Sequence, residues 1–486
     1  MDTKNIGEKN EAPLSPFGRH RVMIAASASG SGKTLFTSGL IEVLRRRNIE
    51  PCAFKCGPDY IDPMFLRSAG ISCRNLDTFF STEDEIIRSV GDSDGHYTVI
   101  EGVMGIYDGI SPDSLKGSCY EISEITRTPI VLLMNCAKAG RTLISMLKGV
   151  LSDDRAKLIK AVVLNRISTS YYEKLKIQLE KEISAIRRDV VLAGHIPDDA
   201  DLTIGSRHLG LSLPGETKDL EAKIGRMADL IEEKCDITSI INAAAADDPA
   251  PPPKTVSPSK PDHSINVLSG SETILAVAED EAFCFCYAEN LELFERFGAK
   301  IRFFSPLQDE RIPENASGIY LVGGYPELHL EKLSTNKSML KSVRDALRSG
   351  MPSLAECGGY MYLHRSVADP DGREFDTVGV IDAKCVYTGH LVNFGYVEVR
   401  KCCEEADFPA DDLRASVSGL KGHEFHYYKS TGDERDVILC KPSTGRCYES
   451  MLAGCSRLWG FPHFYHPAHP GFLEAFVNRM REYRNV

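Results

Sequence analysis

Val22–Ala26, then Ser27-Ala28-Ser29-Gly30-Ser31-Gly32-Lys33-Thr34, then Leu35, Leu40, Val43 and Leu44 at helical spacing: this stretch decides the fold of the first half of the chain. An apolar run, a Gly/Ser-rich turn and an amphipathic helix in that order make a phosphate-cradling loop. Glycines at positions 30 and 32 let backbone N–H groups turn inward on phosphate oxygens. Ser29 and Ser31 complete the cradle, Lys33 reaches the β- and γ-phosphates, and the Thr34 hydroxyl is a Mg²⁺ ligand. The helix that follows points its positive end at the anion. Ser27 stands where the usual loop of this kind has its first glycine.

Outward from the loop, further short apolar runs read as buried strands: Thr98–Glu101, Ile130–Asn135, Ala161–Leu164 and Val190–Ala193. They alternate with helical patterns such as Tyr171–Ile186, so the fold class is α/β with a parallel sheet covered on both faces. Two acidic stretches accompany the loop: Lys55-Cys56-Gly57-Pro58-Asp59-Tyr60-Ile61-Asp62-Pro63, and Glu101-Gly102-Val103-Met104-Gly105-Ile106-Tyr107-Asp108-Gly109. Glu101 ends a strand, on the sheet edge where open α/β sheets bind ligands. A carboxylate there holds Mg²⁺ directly or through water; solvated loop carboxylates are the alternative reading.

The pattern restarts in the second half. Ile274–Ala278, Lys300–Phe304 and Ile319–Val322 read as strands, and Ala288–Phe297 and Glu331–Ser349 as helices. Ser353–Glu356 leads into Cys357-Gly358-Gly359, a strand–turn–helix pattern that presents a thiol. Gly358 and Gly359 remove the Cβ atoms that would crowd such a turn, and Gly323-Gly324 ends another strand with N–H groups suited to an oxyanion. A cysteine nucleophile needs a base, and His463, after Trp459-Gly460-Phe461-Pro462, is the best placed of His463, His466 and His469. Pro467 and Pro470 break any single helical face those histidines would share with a metal. A buried structural thiol is the plain alternative for Cys357. His423-Glu424-Phe425-His426 is one residue short of the zinc-protease spacing; on a strand, Glu424 and His426 share one face and His423 takes the other. From Ala383 to Arg400 the spacing is that of antiparallel β, and a last helix is expected over about 472–484.

Composition sets the bounds. The chain has 486 residues and a net charge of −12, with no long basic run, which argues against a phosphate-dominated nucleic-acid binder. No apolar run reaches membrane-spanning length. Residues 1–20 are polar, lack a signal-peptide core and read as a disordered tail. Fifteen cysteines without regular spacing suggest reduced thiols and a cytoplasmic setting, and pairs such as Cys52/Cys56, Cys284/Cys286 and Cys402/Cys403 read as structural. The Ala/Pro-rich run at 243–266 is a linker between a nucleotide-binding domain, 21–242, and a thiol domain, 267–486.

These residues together resemble the cobyrinic acid a,c-diamide synthase family, glutamine amidotransferases of cobalamin biosynthesis. The carrying motifs are A-S-G-S-G-K-T, K-C-G-P-D-Y-I-D-P, E-G-V-M-G-I-Y-D-G, S-R-H-L-G-L, G-G-Y-P-E, A-E-C-G-G-Y-M-Y-L and G-H-E-F-H-Y, in that order, and the likeness spans about 21–476. The resemblance implies a dethiobiotin-synthetase-like P-loop domain before a class I glutaminase domain. It implies ATP, Mg²⁺, glutamine and a tetrapyrrole, cobyrinic acid or a relative, whose a and c carboxylates become amides. Asp59, Ile61, Asp62, Glu101 and Asp108 fall on positions the family uses for synthetase activity or substrate order, Cys357 on the nucleophile and His463 on its activating histidine. Many glutaminases of this fold carry an acid two residues past that histidine; here Tyr465 stands there, so the expectation is a dyad. Lys55, Arg67, Arg166, Arg207 and His208 are candidate cations for the polycarboxylate, and a homodimer is the working expectation for assembly. Rival readings keep the chemistry on hydrogenobyrinate, Ni-sirohydrochlorin or sirohaem, or take cobyric acid synthase. The more distant rival is a regulatory ATPase with an inert second domain.

Overall fold

The computed structural model describes residues 20–68, 70–93, 97–207, 210–211, 213–243, 272–403, 408–409 and 412–484. The chain divides into two compact units, Met1–Arg207 with Leu211–Ser259, and Lys260–Val486 with His208–Gly210. The division falls inside the 243–266 run. Of that run only Ala243, the last residue of a helix, is described, and the 1–20 tail lies outside the described residues apart from His20.

The first unit is built on strands β1 (His20–Ala26), β2 (Pro51–Cys56), β3 (Cys73–Leu76), β4 (Tyr97–Glu101), β5 (Ile130–Asn135), β6 (Ile159–Asn165) and β7 (Val191–Ile196). Their order in the sheet is β3-β2-β4-β1-β5-β6-β7, and every pairing is parallel. Alternation along β1 shows why the run is continuously apolar. Val22, Ile24 and Ala26 pack on one face with Phe36, Leu40, Met227 and Ile231, while Met23 and Ala25 pack on the other with Leu132, Leu143 and Leu147. Both faces are covered, so no polar position is tolerated. β1 lies between β4 and β5, so the turn after it opens at the point where the strand order reverses. Two strands escape the sequence reading, β2 and β3. Both are short, and their Pro51, Lys55 and Arg74 hide the apolar pattern.

The second unit centres on a six-stranded sheet. In order it is Ala299–Phe304, Thr273–Ala278, Gly318–Leu321, Ser353–Glu356, Arg457–Gly460 and Leu452–Gly454, parallel except for the last pair. A five-stranded antiparallel sheet adjoins it, including Asn393–Cys402, Lys421–His426 and His463–Phe464. The expected β region at 383–400 is two strands in different sheets, Ile381–Tyr387 and Asn393–Cys402. The expected single helix over 331–349 is broken into Leu330–Thr335 and Lys337–Arg348. Asn336 leaves the helical conformation there, its Oδ1 accepting the Met339 N–H at 3.3 Å while its Nδ2 donates to the Pro306 and Asp309 carbonyls. A side chain that caps competes with helix continuation.

The expectation of reduced thiols throughout is corrected at one place. Cys440 and Cys447 form a disulfide across the hairpin joining Val437–Cys440 to Cys447–Ser450, where antiparallel register sets the two cysteines opposite each other. The pairs at 52/56, 284/286 and 402/403 form no disulfide, and no group of three metal-ligating side chains occurs among the described residues. No helix among them is long and apolar enough to cross a membrane.

Candidate functional site

In the first unit four parallel strands deliver the site residues to one sheet edge. The loop after β1 places Gly30 and Gly32 at φ of +70° and +86° before the helix Lys33–Arg46. Ser29 and Gly30 are exposed at its tip. From the end of β6, Asn165 donates through Nδ2 to the Ser31 carbonyl at 2.8 Å, and the Arg166 guanidinium donates to the Gly30 carbonyl at 3.2 Å. These two residues brace the loop from behind. Lys33 donates to the Met104 carbonyl at 2.6 Å, which ties the loop to the E-G-V-M-G stretch.

Glu101 ends β4 fully buried, as an electrostatic hub. Its Oε1 accepts from the Thr34 hydroxyl at 2.9 Å and pairs with Lys55 at 3.0 Å. Its Oε2 has no hydrogen-bond partner among the described residues. Lys55 also meets Asp62 at 2.6 Å and Asp59 at 3.9 Å. Burial works against the Lys55 charge, yet Asp62 and Glu101 hold its ammonium well above the usual range. Burial pushes Glu101 up to about 7, with the Asp62 charge adding to it. Asp59 is likewise raised to about 7 by burial and Asp62. Asp62 itself is lowered, because Lys55 outweighs its burial. Asp59 Oδ1 receives the N–H groups of Ile61 and Asp62 at 3.0 and 3.2 Å, so it caps the helix Ile61–Ser68. Asp108 Oδ2 accepts the Gly105 N–H at 2.8 Å and shapes the second acidic turn.

Three of the cation candidates have partners within the protein. Lys55 is committed to buried carboxylates, Arg67 donates to the Cys73 carbonyl and Arg166 braces the loop. The Arg207 side chain and His208 lie outside the described residues.

In the second unit Cys357 is 6 % exposed and sits at φ +45°, ψ −106°, a strained conformation that projects the thiol from the strand end. Its N–H donates to the Gly460 carbonyl at 2.8 Å. A Cβ on Gly359 would fall 2.1 Å from the Leu321 carbonyl oxygen, so the turn requires glycine there. The helix after the cysteine, Gly358–Tyr362, has only 5 residues. Burial, reinforced by Glu327, raises the thiol above its ordinary range. Burial, together with His423 and His426, lowers His463 to about 3. At neutral pH the resting pair is therefore a neutral thiol and a neutral imidazole that can accept a proton.

Strand register brings the two toward each other. Glu356 pairs with Gly460 in adjacent parallel strands, and Cys357 and His463 leave the same edge shortly after. Both flank the Gly323-Gly324 turn. Gly323 lies under the imidazole, where a Cβ would sit 2.1 Å from His463 Cε1, and a Cβ on Gly358 would sit 3.0 Å from Gly324 N. The turn is fastened by Cys284 and Phe285, whose N–H groups donate to the Gly323 carbonyl at 2.9 and 3.0 Å. The expected alternation in Lys421–His426 is present. Glu424 and His426 are buried, and His423 faces the other side, opposite His463 in the register.

Gly323→Ala follows as a test of this packing. The methyl group would displace the imidazole, and for the activating role that the resemblance implies for His463 a shift of about 1 Å costs on the order of 10²-fold in rate. Glutamine-dependent turnover should fall by that scale while turnover with added ammonia holds; unchanged glutamine kinetics would contradict the geometry.

Sequence reasoning missed three contributors: Asn165, Glu356 and Lys55 as an internal counter-ion. Asn165 and Glu356 each end a parallel strand on the ligand-binding edge, which was the available signal.

Comparison with known proteins agrees with this arrangement. Residues 22–211 match the CobQ/CobB/MinD/ParA nucleotide binding domain, and residues 274–458 match the CobB/CobQ-like glutamine amidotransferase domain. The chain is 34 % identical over 468 residues to cobyrinate a,c-diamide synthase of Caldanaerobacter subterraneus subsp. tengcongensis, covering 95 % of this chain and 98 % of that protein. It is 36 % identical over 442 residues to the protein of the same name from Clostridium tetani, covering 90 % and 92 %.

Proposed function

The chain belongs to the cobyrinate a,c-diamide synthase family, and from that premise we propose how its residues divide the work. It is a glutamine-hydrolysing carbon–nitrogen ligase of cobalamin biosynthesis, with a nucleotide-binding P-loop domain and a glutamine amidotransferase domain. In the second unit the Cys357 sulfur attacks the glutamine carboxamide carbon as His463 takes the thiol proton. The N–H groups of the Gly323-Gly324 turn face the developing oxyanion. His463 returns the proton to the leaving nitrogen, the C–N bond breaks and ammonia departs. Water then hydrolyses the glutamyl thioester, giving glutamate and the free thiol.

In the first unit the loop from Ser29 to Thr34 cradles the phosphates of ATP, and Lys33 offsets charge as a substrate carboxylate attacks the γ-phosphorus. ADP leaves, and ammonia displaces phosphate from the acyl phosphate to give the amide. Thr34 and Glu101 are the Mg²⁺ ligands of this reading. The unpartnered, buried Oε2 of Glu101 beside a hydroxyl is the hard oxygen donor set such an ion takes. When bound, the ion would neutralise phosphate charge. Asp59, Ile61, Asp62 and Asp108 shape the turns beside the phosphate site and order the substrate.

The observation that carries the reading is that the relatives align across both units, with almost all of either chain covered. The test is direct. Purified protein with ATP, Mg²⁺ and glutamine is offered cobyrinate, hydrogenobyrinate, Ni-sirohydrochlorin and sirohaem, and products are weighed by mass spectrometry. Two successive carboxyl-to-amide shifts on cobyrinate are expected. Amidation confined to another tetrapyrrole would reassign the substrate, and ATP hydrolysis with no amidation and no glutamate release would overturn the enzyme.

A further inference from the structure

Glu356, the residue before the nucleophile, has no part in the scheme above. It is 4 % exposed, and burial raises its carboxyl to about 8. A buried carboxyl is costly unless its oxygens are satisfied. Here Oε1 accepts the Phe464 N–H at 3.3 Å and Oε2 accepts the Tyr320 hydroxyl at 3.0 Å. Two imidazoles flank it: His463 Nδ1 lies 3.9 Å from Oε2, and His466 Nε2 lies 3.7 Å from Oε1. The segment carrying both histidines is pinned by Asn290, whose Nδ2 donates to the Phe464 carbonyl at 2.8 Å and whose Oδ1 accepts the His466 N–H at 2.9 Å. Tyr465, two residues past His463, stands edge-on to Tyr287 and supplies no acid.

We propose that Glu356 is the positioning residue of the glutaminase centre, facing the Nδ1 side of His463 and stabilising the charge that the imidazole gains. The proposal rests on the reading of Cys357 and His463 as nucleophile and base. With Nδ1 toward the carboxyl group, Nε2 is the nitrogen left for the thiol proton. As that proton arrives, positive charge forms 3.9 Å from Oε2, and a neighbouring positive charge favours the ionised form of the carboxyl group. The Tyr320 hydroxyl fixes the direction of the carboxyl group. One chain segment thereby presents the nucleophile on one residue and the support for its base on the residue before, so a shift of the strand would move both together. Glu424 is the other buried acid nearby. The Tyr448 hydroxyl donates to it, its Oε1 lies 3.9 Å from His426, and the residue opposite His463 is His423. That geometry commits Glu424 elsewhere.

Glu356→Gln keeps the shape and removes the ionisable carboxyl group. It is expected to lower kcat with glutamine about 10²-fold, the scale of proton-transfer assistance, with little change in KM for glutamine. Amidation with added ammonium salt, carried by the first unit, should hold, and Glu356→Asp should recover part of the lost kcat. Wild-type kcat in Glu356→Gln would overturn the proposal. So would equal loss of both activities in a folded variant, which would make the carboxyl group a structural element only. Should Glu356→Gln fail to fold, Tyr320→Phe decides: a lowered kcat at constant KM supports the role, and an unchanged kcat rejects it. His463→Ala separates the two levels of argument. If that variant still uses glutamine, the dyad itself fails; if it does not while Glu356→Gln does, only the present proposal fails.

Discussion

Cys357→Ala is expected to abolish glutamine-dependent amidation, by at least about 10³-fold, and to leave amidation by added ammonia close to the parent rate. The size follows from the chemistry, because without the sulfur there is no thioester and no second route to release nitrogen. The conformation makes alanine the informative choice. At φ +45° the backbone holds a strain on the order of 1–3 kcal/mol, which any residue with a Cβ bears alike. Alanine therefore keeps the turn as it is, and removing one buried sulfur costs about 1 kcal/mol of stability. Glycine would relax the turn and confuse a chemical effect with a structural one. The resting protonation states sharpen the expectation. Burial raises the thiol and lowers His463 to about 3, so the resting pair is uncharged. Product mass with glutamine and with ammonium as alternative nitrogen sources is the measurement. Loss of both activities in a folded protein would contradict the separation of roles, and retained glutamine use would remove Cys357 from the mechanism.

What the sequence displays and what it hides follow from physical causes. Residues 22–26 of β1, 130–134 of β5 and 161–164 of β6 are covered on both faces, so these runs are continuously apolar and legible. β2 carries Lys55 into the interior because Asp62, in the next turn of chain, and Glu101, at the end of another strand, neutralise it there. A reading of local pattern therefore passes over the strand and offers the lysine as a cation for the substrate. The loop from Ser29 to Thr34 and the turn at Cys357 are legible for the opposite reason, since adjacent residues make each of them. Glu356 is different. Its relation to His463 arises from the register of Ser353–Glu356 against Arg457–Gly460, across about a hundred residues of intervening chain, and no spacing rule carries that. The disulfide at Cys440 and Cys447 depends in the same way on hairpin register, which composition does not contain.

Lys33→Met is expected to remove amidation with either nitrogen source, the converse of the cysteine variant. Lys33 is 7 % exposed, and its ammonium is hydrogen-bonded to the Met104 carbonyl. Burial and the neighbouring Lys55 charge both lower its pKa, so the site holds this cation at a cost. A triphosphate supplies the missing counter-charge, and the ammonium then offsets charge that grows as the γ-phosphoryl group transfers. Loss of such a group costs on the order of 10³-fold, or about 4 kcal/mol of transition-state stabilisation. The variant should fold, because methionine fills similar space and ends the repulsion with Lys55, so its Tm should match or exceed the parent's. Glu101→Gln affects the same step by another route. It takes charge from the hub that Thr34 and Lys55 share, and it weakens the oxygen set assigned to Mg²⁺. It should therefore lower turnover with both nitrogen sources and raise the Mg²⁺ concentration needed for half-maximal rate, whereas Lys33→Met should raise the KM for ATP and lower kcat with no such metal shift. Steady-state kinetics with ammonium as the nitrogen source, varied in ATP and in Mg²⁺, distinguish the two. If Lys33→Met kept ammonia-dependent amidation while losing only glutamine use, the phosphate loop would not be the site where the carboxylate is activated.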